Sequence, residues 1–317
     1  MRFLLRGLLL LLVLWETGFA WGSSSRYGPE PPDTIVAPQA GVTPPAAAAK
    51  SFLWEVRSQT NTIYLFGTIH VGKPNFYPLP PAVEEALKQS TKLVLEADVS
   101  NSTGMEQLLP LMMFNPPDSL EKAIPPALFA RTKQQLARYG IPAEAANRMK
   151  PVTVVSLLLI SSLTEAGYDA KAGVELYLLD KAKQDNKPVL ELESQRGQLL
   201  LLNSLSATER NAFLSNAITT LERGNVREQL DELVTAWQSG NSKLMQETAA
   251  KANKGMLLTS QLDNVIIYGR HNEMVKKLER FLEGSEPHFV AVGAFHLLGK
   301  RGLVELLKAK GYKVRQL

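Results

Sequence analysis

The chain has 317 residues, of which 45% are hydrophobic and 21% are charged, a composition that excludes a polytopic membrane protein, a coiled coil and a wholly disordered chain. Its 35 basic and 31 acidic residues give a net charge of +4 without a basic block, so nucleic acid is not an expected partner. The absence of cysteine excludes disulfides, thiol nucleophiles and cysteine-bound zinc, so any catalysis must use histidine, carboxylates, hydroxyls or a metal that histidine and carboxylate bind.

Residues 1–20 have the pattern of a secretory signal peptide. Arg2 and Arg6 precede the leucine-rich stretch 7–15, and Gly18 and Ala20 fit a signal-peptidase site. We expect cleavage after Ala20 and a periplasmic or secreted protein without a stable transmembrane span. The alternative is a membrane anchor, but the apolar stretch is shorter than the roughly 20 residues that a span needs. No cysteine follows the site, so the chain is not a bacterial lipoprotein.

Residues 21–50 are rich in Gly, Ser, Pro and Ala, with six prolines between Pro29 and Pro45. Such a composition cannot form a core and predicts a disordered linker. We therefore expect one folded domain, from residue 51 to residue 317.

The folded part begins with short apolar segments. Ser51–Arg57 and Thr62–Thr68 predict a β-hairpin. Ala82–Gln89, which prolines precede, predicts a helix, and Lys92–Val99 predicts a strand that ends in carboxylates. The order strand, helix, strand indicates a βαβ unit and therefore a pair of parallel strands.

The middle of the chain, about residues 102–264, predicts an inserted helical region from its 3.6-residue periodicity. One strand interrupts this region, Lys187–Leu192, and it follows a helix at Val174–Gln184. The pattern from Leu257 to Leu282 predicts one long helix.

The C-terminal part predicts a second unit of the same kind. The strand His288–Val292 leads to the helix Gly302–Lys308 and to a final strand, Tyr312–Gln316. The predicted fold class is therefore α/β, in the α+β sense, with a small central mixed sheet made from two βαβ-type units and a large helical insertion.

Two of the four histidines lie three residues after a glycine, in Gly67-Thr68-Ile69-His70 and Gly293-Ala294-Phe295-His296. Each motif follows a predicted apolar strand, where glycine lets the backbone turn sharply. The histidine can then project into the crevice at the carboxyl ends of the strands, where open α/β folds bind ligands. We interpret both histidines as functional; the alternative is that they are structural and cap the sheet.

Carboxylates at the ends of predicted strands complete the predicted site. Glu96 ends the strand that follows His70, and two imidazoles with one carboxylate suit Zn, Mn or Co at an open catalytic position. Glu96 could instead act as a general base toward a metal-bound water. Asp98 and Glu193 also lie at strand ends, and each is a weaker candidate than Glu96.

Several separate blocks between Phe52 and the C-terminus resemble the TraB/GumN (TraB/PrgY/GumN) family, in the family's order. The blocks are FLWEV with TIYLFGTIHVG, KLVLEADVS, GVELYLLDKAK with KPVLELESQRGQ, and FVAVGAFHLLGKRGLVELLKAKGYKV. The family includes the animal Tiki proteins, which are metal-dependent proteases. The resemblance also implies a fold shared with erythromycin esterases and the ChaN haem-binding lipoproteins.

The resemblance assigns motif roles to individual residues. The signature falls on Gly67, His70, Glu96, Gly293 and His296, and the Leu-Glu-x-x-x-x-Gln block on Leu192, Glu193 and Gln198.

One position departs from the family pattern, which usually has Arg-Asn ahead of the second Gly-x-x-His. Here Arg270 is followed by His271, which puts the role of that Asn in doubt. Arg270 could steady a substrate carbonyl or orient Glu96. Asn272 could replace the missing Asn if the helix is slightly rotated, and His271 could be an exposed helix residue. His288 is expected to be structural or solvent-facing.

Two functional hypotheses follow. In the first, the protein is a periplasmic or secreted metal-dependent hydrolase, and the Tiki resemblance implies a peptidase that acts on a peptide or protein. A divalent metal (Mn, Co or Zn) would be held by His70, His296 and Glu96, with Glu96 and Arg270 as catalytic residues. In the second, the same crevice binds a peptide, metal or haem without turnover. The identity of the metal and the oligomeric state stay open.

Overall fold

The computed structural model describes residues 50–98 and 105–317. The predicted signal peptide and nearly all of the predicted linker lie outside these ranges. In the described part, six strands form one mixed sheet in the order β4-β3-β5-β2-β1-β6. The strands are β1 (Leu53–Arg57), β2 (Thr62–Thr68), β3 (Lys92–Leu95), β4 (Val189–Glu191), β5 (His288–Gly293) and β6 (Lys313–Gln316).

Four neighbouring strands of this sheet run in the same direction. β5 pairs in parallel with β2 on one side and with β3 on the other, and β3 pairs in parallel with β4. β1 is antiparallel to β2, as the predicted hairpin requires, and β6 is antiparallel to β1. The carboxyl ends of β2, β5, β3 and β4 therefore lie along one edge of the sheet.

The α+β fold class is confirmed, but the expected pairing inside each βαβ unit is wrong. β2 and β3 are not neighbours, because β5 lies between them, and β6 pairs with β1 and not with β5. All six residues of β5 are buried. A strand that is apolar on both faces is most stable at the centre of a sheet covered on both sides, and β5 takes that place.

The helices account for most of the remaining chain. They are α1 (Pro81–Gln89), α2 (Met105–Met112), α3 (Leu120–Ala123), α4 (Pro126–Arg138), α5 (Ala143–Asn147), α6 (Pro151–Glu165), α7 (Val174–Gln184), α8 (Gln195–Asn203), α9 (Ala207–Glu222), α10 (Val226–Gln238), α11 (Ser242–Ala252), α12 (Thr259–Ile266), α13 (His271–Glu283) and α14 (Leu303–Ala309). Within the described residues, no helix combines the length and the apolarity that crossing a bilayer would require.

Helix α6 lies at the centre of the helical layer. Its sequence is apolar nearly all round, and most of its residues are buried, as expected of a helix enclosed by others. It packs against α9, while α10 carries Trp237 to the sheet. There the indole Nε1 of Trp237 donates a hydrogen bond of 2.6 Å to the carbonyl oxygen of Gly67, at the end of β2. The helical layer therefore contacts the first Gly-x-x-His motif directly.

The single long helix predicted over Leu257–Leu282 is wrong. The chain forms α12, leaves helical geometry at Ile267 (φ −121°, ψ −68°), makes one 3-10 turn over Tyr268–Arg270 and then starts α13. The break lies beside Gly269, where a Cβ atom would come within 2.8 Å of the Asn264 carbonyl oxygen. Because of the break, Arg270 and His271 are directed at the carboxyl edge of the sheet.

Candidate functional site

The carboxyl edge of the four parallel strands gathers most of the predicted site residues. Two residues after β2 comes His70, three after β5 comes His296, one after β3 comes Glu96, and two after β4 comes Glu193. This is the edge at which parallel α/β sheets bind ligands. His70, Glu96 and His296 are buried, with exposed fractions of 7%, 6% and 0%.

Both carboxylate oxygens of Glu96 have partners in the site. Its Oε1 accepts hydrogen bonds from Arg270 Nη2 and, at 2.8 Å, from Gln198 Nε2. Its Oε2 accepts from the backbone N–H of Gly293 at 3.3 Å and lies 3.5 Å from Nε2 of His296. Burial alone would raise the pKa of Glu96, but Arg270 and then His296 lower it well below its ordinary value, so the side chain is an anion at neutral pH.

Arg270 joins the two carboxylates. Its Nε donates to both oxygens of Glu193 at 2.9 and 3.0 Å, while Nη2 reaches Glu193 and Glu96. Nη1 donates to the Ile266 carbonyl oxygen at 2.8 Å, an acceptor at the end of α12. Burial would lower the pKa of Arg270, but the two carboxylates raise it above its ordinary value. Of its two expected roles, these contacts favour the orientation of Glu96.

Gln198 explains the second block of the family pattern. Its Nε2 donates to Glu96 at 2.8 Å and to Glu193 at 3.2 Å, so it bridges the same two carboxylates as Arg270. Ser194 caps the N-terminus of α8 by accepting from the Gly197 N–H, which places Gln198 in the first turn. The Glu193–Gln198 block therefore provides a hydrogen-bond donor that holds the Glu96 carboxylate in place.

His271 is not an exposed helix residue; its exposed fraction is 1%. Its Nε2 lies 2.8 Å from Nδ1 of His296, and its Nδ1 lies 2.6 Å from the Arg301 carbonyl oxygen. Burial, and next the neighbouring His296, lower its pKa to about 3. The expectation that Asn272 could replace the family's Asn is wrong, because Asn272 is exposed, whereas His271 is buried beside His296.

His70 has a different supporting residue from His296. Its Nδ1 lies 2.7 Å from Oε1 of Glu175, in the first turn of α7, although the two atoms are not aligned for a hydrogen bond. Burial would lower the pKa of His70, but the charge of Glu175 raises it above its ordinary value. The charge of Glu96 also raises the pKa of His70, and Arg270 acts in the opposite direction, so His70 interacts electrostatically with both members of the Glu96–Arg270 pair.

The glycines of the two motifs do not have a left-handed backbone: the positive-φ residues of the described chain do not include Gly67 or Gly293. The chain does turn directly after Gly293, where β5 gives way to a 3-10 turn over Ala294–Leu297. At Gly67 a Cβ atom would come within 2.6 Å of the Phe52 ring and 3.0 Å of Ala294 Cα. Gly67 therefore allows the ends of β2 and β5 to approach closely.

Two of the histidine nitrogens are available to a divalent ion. Nε2 of His70 and Nε2 of His296 are buried and have no hydrogen-bond partner among the described residues. Ligand atoms about 2.0–2.1 Å from a tetrahedral ion lie about 3.4 Å apart, close to the 3.5 Å between His296 Nε2 and Glu96 Oε2. This pair fits two ligands of one ion. Within ranges 50–98 and 105–317, no three His, Asp or Glu side chains already form a metal-binding group.

Two other sequence candidates lie outside this network of contacts. The expectation for Asp98 required β3 to continue, but β3 ends at Leu95, and the Asp98 backbone N–H donates to a carboxylate oxygen of Glu191. His288 is structural, as expected: it opens β5, is 6% exposed and stacks on Phe281 at 4.5 Å.

Sequence reasoning missed Glu175 and the buried state of His271. Both lie on the apolar face of an amphipathic helix. Glu175 shares its face with Leu178, Leu179 and Ala182, and His271 shares its own with Met274, Val275, Leu278 and Leu282. A charged or imidazole side chain in register with such a face is a detectable signal, because the 3.6-residue period directs it to the interior.

These features define a class: α+β proteins with a mixed sheet, in which two Gly-x-x-His motifs flank a buried Glu–Arg pair at the carboxyl edge of the parallel strands. The chain belongs to the TraB/PrgY/gumN family, whose family model matches residues 52–316.

Curated relatives match at low identity. Metalloprotease TIKI1 of Danio rerio is 25% identical over 320 residues, which cover 85% of this chain and 64% of that protein. Metalloprotease TIKI1 of Homo sapiens is 24% identical, with 92% and 66% covered. YbaP of Escherichia coli, an uncharacterized protein, is 27% identical, with 77% and 87% covered. The chain thus spans about two thirds of the length of the animal proteins. No solved structure matches, so the implied likeness to erythromycin esterases and ChaN stays a prediction.

Proposed function

We propose that this chain is a metal-dependent hydrolase that cleaves peptide bonds at the carboxyl edge of its sheet. One observation carries the proposal: the two Gly-x-x-His motifs lie at the ends of adjacent parallel strands, and each has a buried Nε2 atom without a hydrogen-bond partner among the described residues, with that of His296 3.5 Å from the ionised Glu96. A buried polar atom without a partner destabilises the folded protein, and a metal ion bound to Nε2 would supply that partner.

His296, His70 and Glu96 would hold the divalent ion. When bound, it would supply a Lewis acid and an activated water. The rest of the site keeps Glu96 ready to act. Arg270 and Gln198 bind Oε1, so that Oε2 faces His296 and the Gly293 N–H. In this arrangement Glu96 can be a ligand, or its Oε2 can accept a proton from the attacking water.

A peptide substrate is supported by the relatives named metalloproteases. The proposal is tested by removing metal from the purified protein, restoring Zn²⁺, Mn²⁺ or Co²⁺, and reading cleavage of a peptide library by mass spectrometry. We expect cleavage with at least one metal and none after chelation. Cleavage that persists after complete metal removal would refute a metal-dependent mechanism.

Glu96→Gln separates the two roles of the carboxylate. Loss of cleavage by roughly 10²–10⁴-fold with metal retained identifies a general base, whereas joint loss of metal and cleavage identifies a ligand. Glu191→Gln is the matched control, because Glu191 is an exposed carboxylate at the end of the neighbouring β4. Wild-type cleavage by Glu96→Gln would remove Glu96 from the mechanism.

A second function is a binding protein that uses the same crevice for a peptide, metal or haem without turnover. The observation in its favour is that Glu96 is paired with Arg270 in a buried contact, which lowers its basicity. The same experiment separates the two functions, since stoichiometric metal with no cleavage of any library member would support binding alone.

The proposed site of action is the periplasm or the outside of the cell. Its support is the N-terminal pattern, with Arg2 and Arg6 before a short leucine-rich stretch and Ala20 at the expected cleavage site. The mass of the protein recovered from the periplasmic or secreted fraction tests it. We expect a mature chain that begins at Trp21, and an uncleaved chain in the membrane fraction would contradict the proposal.

A further inference from the structure

His271 has a bonding partner for each of its two ring nitrogens. Its Nδ1 lies 2.6 Å from the Arg301 carbonyl oxygen, and its Nε2 lies 2.8 Å from Nδ1 of His296. Both rings are buried, with exposed fractions of 1% and 0%. His271 therefore lies between a fixed backbone acceptor and the second Gly-x-x-His histidine.

The Arg301 end of this chain of bonds fixes the positions of the protons. A carbonyl oxygen can only accept, so Nδ1 of His271 must carry a proton. A neutral imidazole has one N–H, which leaves Nε2 of His271 as an acceptor. Nδ1 of His296 must then be the donor to it.

A doubly protonated His271 would reverse this polarity, but its surroundings oppose it. The ring would be a buried cation next to Arg270, with a carbonyl oxygen and an imidazole as its partners. A buried charge without a compensating partner is costly.

The acceptor at Arg301 is itself held in place. The Arg301 guanidinium lies 4.5 Å from the centroid of the Tyr268 ring and donates to Asn264 Oδ1 at 2.6 Å. The Tyr268 ring in turn meets His271 edge to face, with centroids 5.6 Å apart. His271 is thus fixed by packing as well as by its two bonds.

We propose that His271 is a positioning residue that holds the proton of His296 on Nδ1 and so leaves Nε2 of His296 directed at Glu96. Hydrogen bonding at one ring nitrogen is the general way in which proteins select the nitrogen that faces a metal or a substrate. The consequence for metal binding rests on the proposed function, whereas the tautomer does not.

An amide at this position supplies the same two groups. The side-chain oxygen of Asn or Gln can accept from His296, and its NH₂ can donate to a carbonyl. A leucine fills similar space without either group. The pair His271→Gln and His271→Leu therefore separates the hydrogen bond from the packing.

The test is nitrogen NMR of the metal-free protein labelled with ¹⁵N in its histidines, because protonated and unprotonated ring nitrogens have well-separated shifts. The chain has four histidines, and His70→Asn and His288→Asn, with the variants at position 271, assign their signals. We expect a protonated Nδ1 of His296 in the wild type and in His271→Gln, and a mixture of tautomers in His271→Leu.

An unprotonated Nδ1 of His296 in the wild type, or an unchanged His296 spectrum in His271→Leu, would overturn the inference. If His271→Leu does not fold, the wild-type and His271→Gln spectra still decide it.

Zinc affinity, measured by chelator competition, links the tautomer to the site. Loss of a supporting hydrogen bond to a ligand histidine typically weakens metal binding 10–100-fold. We expect such a loss in His271→Leu and a much smaller one in His271→Gln. Unchanged affinity with an altered tautomer would count against His296 as a metal ligand, and so against the proposed function, while leaving the tautomer assignment intact.

Discussion

The indole N–H of Trp237 donates a 2.6 Å hydrogen bond to the carbonyl oxygen of Gly67. The two residues are separated by 170 positions, and the bond connects the inserted helical layer to the strand that leads to His70. The ring of Trp237 also lies against Phe66 and Phe76, with centroids 6.2 and 5.9 Å away. The helical layer thus packs directly against the strand that leads to the site.

Trp237→Phe should therefore reduce stability by more than its change in volume implies. The variant removes a donor from a buried carbonyl, at a cost of about 1–3 kcal/mol. Urea unfolding measures the loss, with Trp54→Phe as control, because Trp54 is equally buried at 6% against 5%. Equal losses in the two variants would show that the bond to Gly67 adds nothing.

Gly67→Ala should destabilise the protein through crowding. The added methyl group would lie 2.6 Å from Phe52 Cδ1 and 3.0 Å from Ala294 Cα, and overpacking of this kind typically costs about 1–3 kcal/mol. Gly284→Ala is the control, since its nearest atom is 3.4 Å away and its φ is −76°. A change within about 0.5 kcal/mol is expected there. Equal unfolding midpoints for the two variants would contradict the close approach of β2 and β5.

Arg270→Lys keeps the positive charge, yet it should lower the free energy of unfolding, measured in urea, by several kcal/mol. Lysine cannot bind two carboxylates with a planar fork, so Glu96 or Glu193 would lose its partner inside the protein. Breaking a buried ion pair costs about 3–5 kcal/mol. Arg131→Lys is the matched control: Arg131 also binds a carboxylate with two nitrogens, but both side chains are 36% exposed. There the expected loss is about 0–1 kcal/mol, and similar losses at both positions would contradict a buried Arg270 network.

The strands, and the place of Glu96 directly after one of them, were predictable because they depend on local pattern. An apolar run that leads into Gly-x-x-His marks the ends of β2 and β5, and the run KLVL, which Glu96 follows, marks the end of β3. The positions of these residues at one edge follow from the shared direction of the strands. The resemblance offered Arg270 as a residue that orients Glu96, but local pattern could not give the contact itself, because Arg270 lies in a helix break 174 positions from Glu96.

The pairing of the strands depends on tertiary context that local patterns do not contain. β2 and β3 are close in sequence, yet β5 separates them, because its fully buried sequence is most stable between two other strands. The same limit explains His271. Its neighbour His296 belongs to a distant motif, so the substitution for Asn gave no indication of the contact between them.

His288 should make folding stability depend on pH. Burial lowers its pKa below the ordinary value, with Lys92 acting in the same direction, while Glu286 acts in the opposite direction through its backbone carbonyl and its charge. The folded state then binds fewer protons than the unfolded state, so stability is fully present above about pH 6.5 and falls as the pH drops below that value. The slope contributed by one such group is at most about 1.4 kcal/mol per pH unit.

His288→Asn removes the titration and keeps a donor for the Glu286 carbonyl, which lies 2.7 Å from Nδ1 of His288. We expect urea unfolding at pH 7.5, 6.5, 5.5 and 5.0 to give a shallower decline for the variant, even if the lost stacking on Phe281 lowers its stability at every pH. Parallel curves for the two proteins would assign the acid-induced loss to another group.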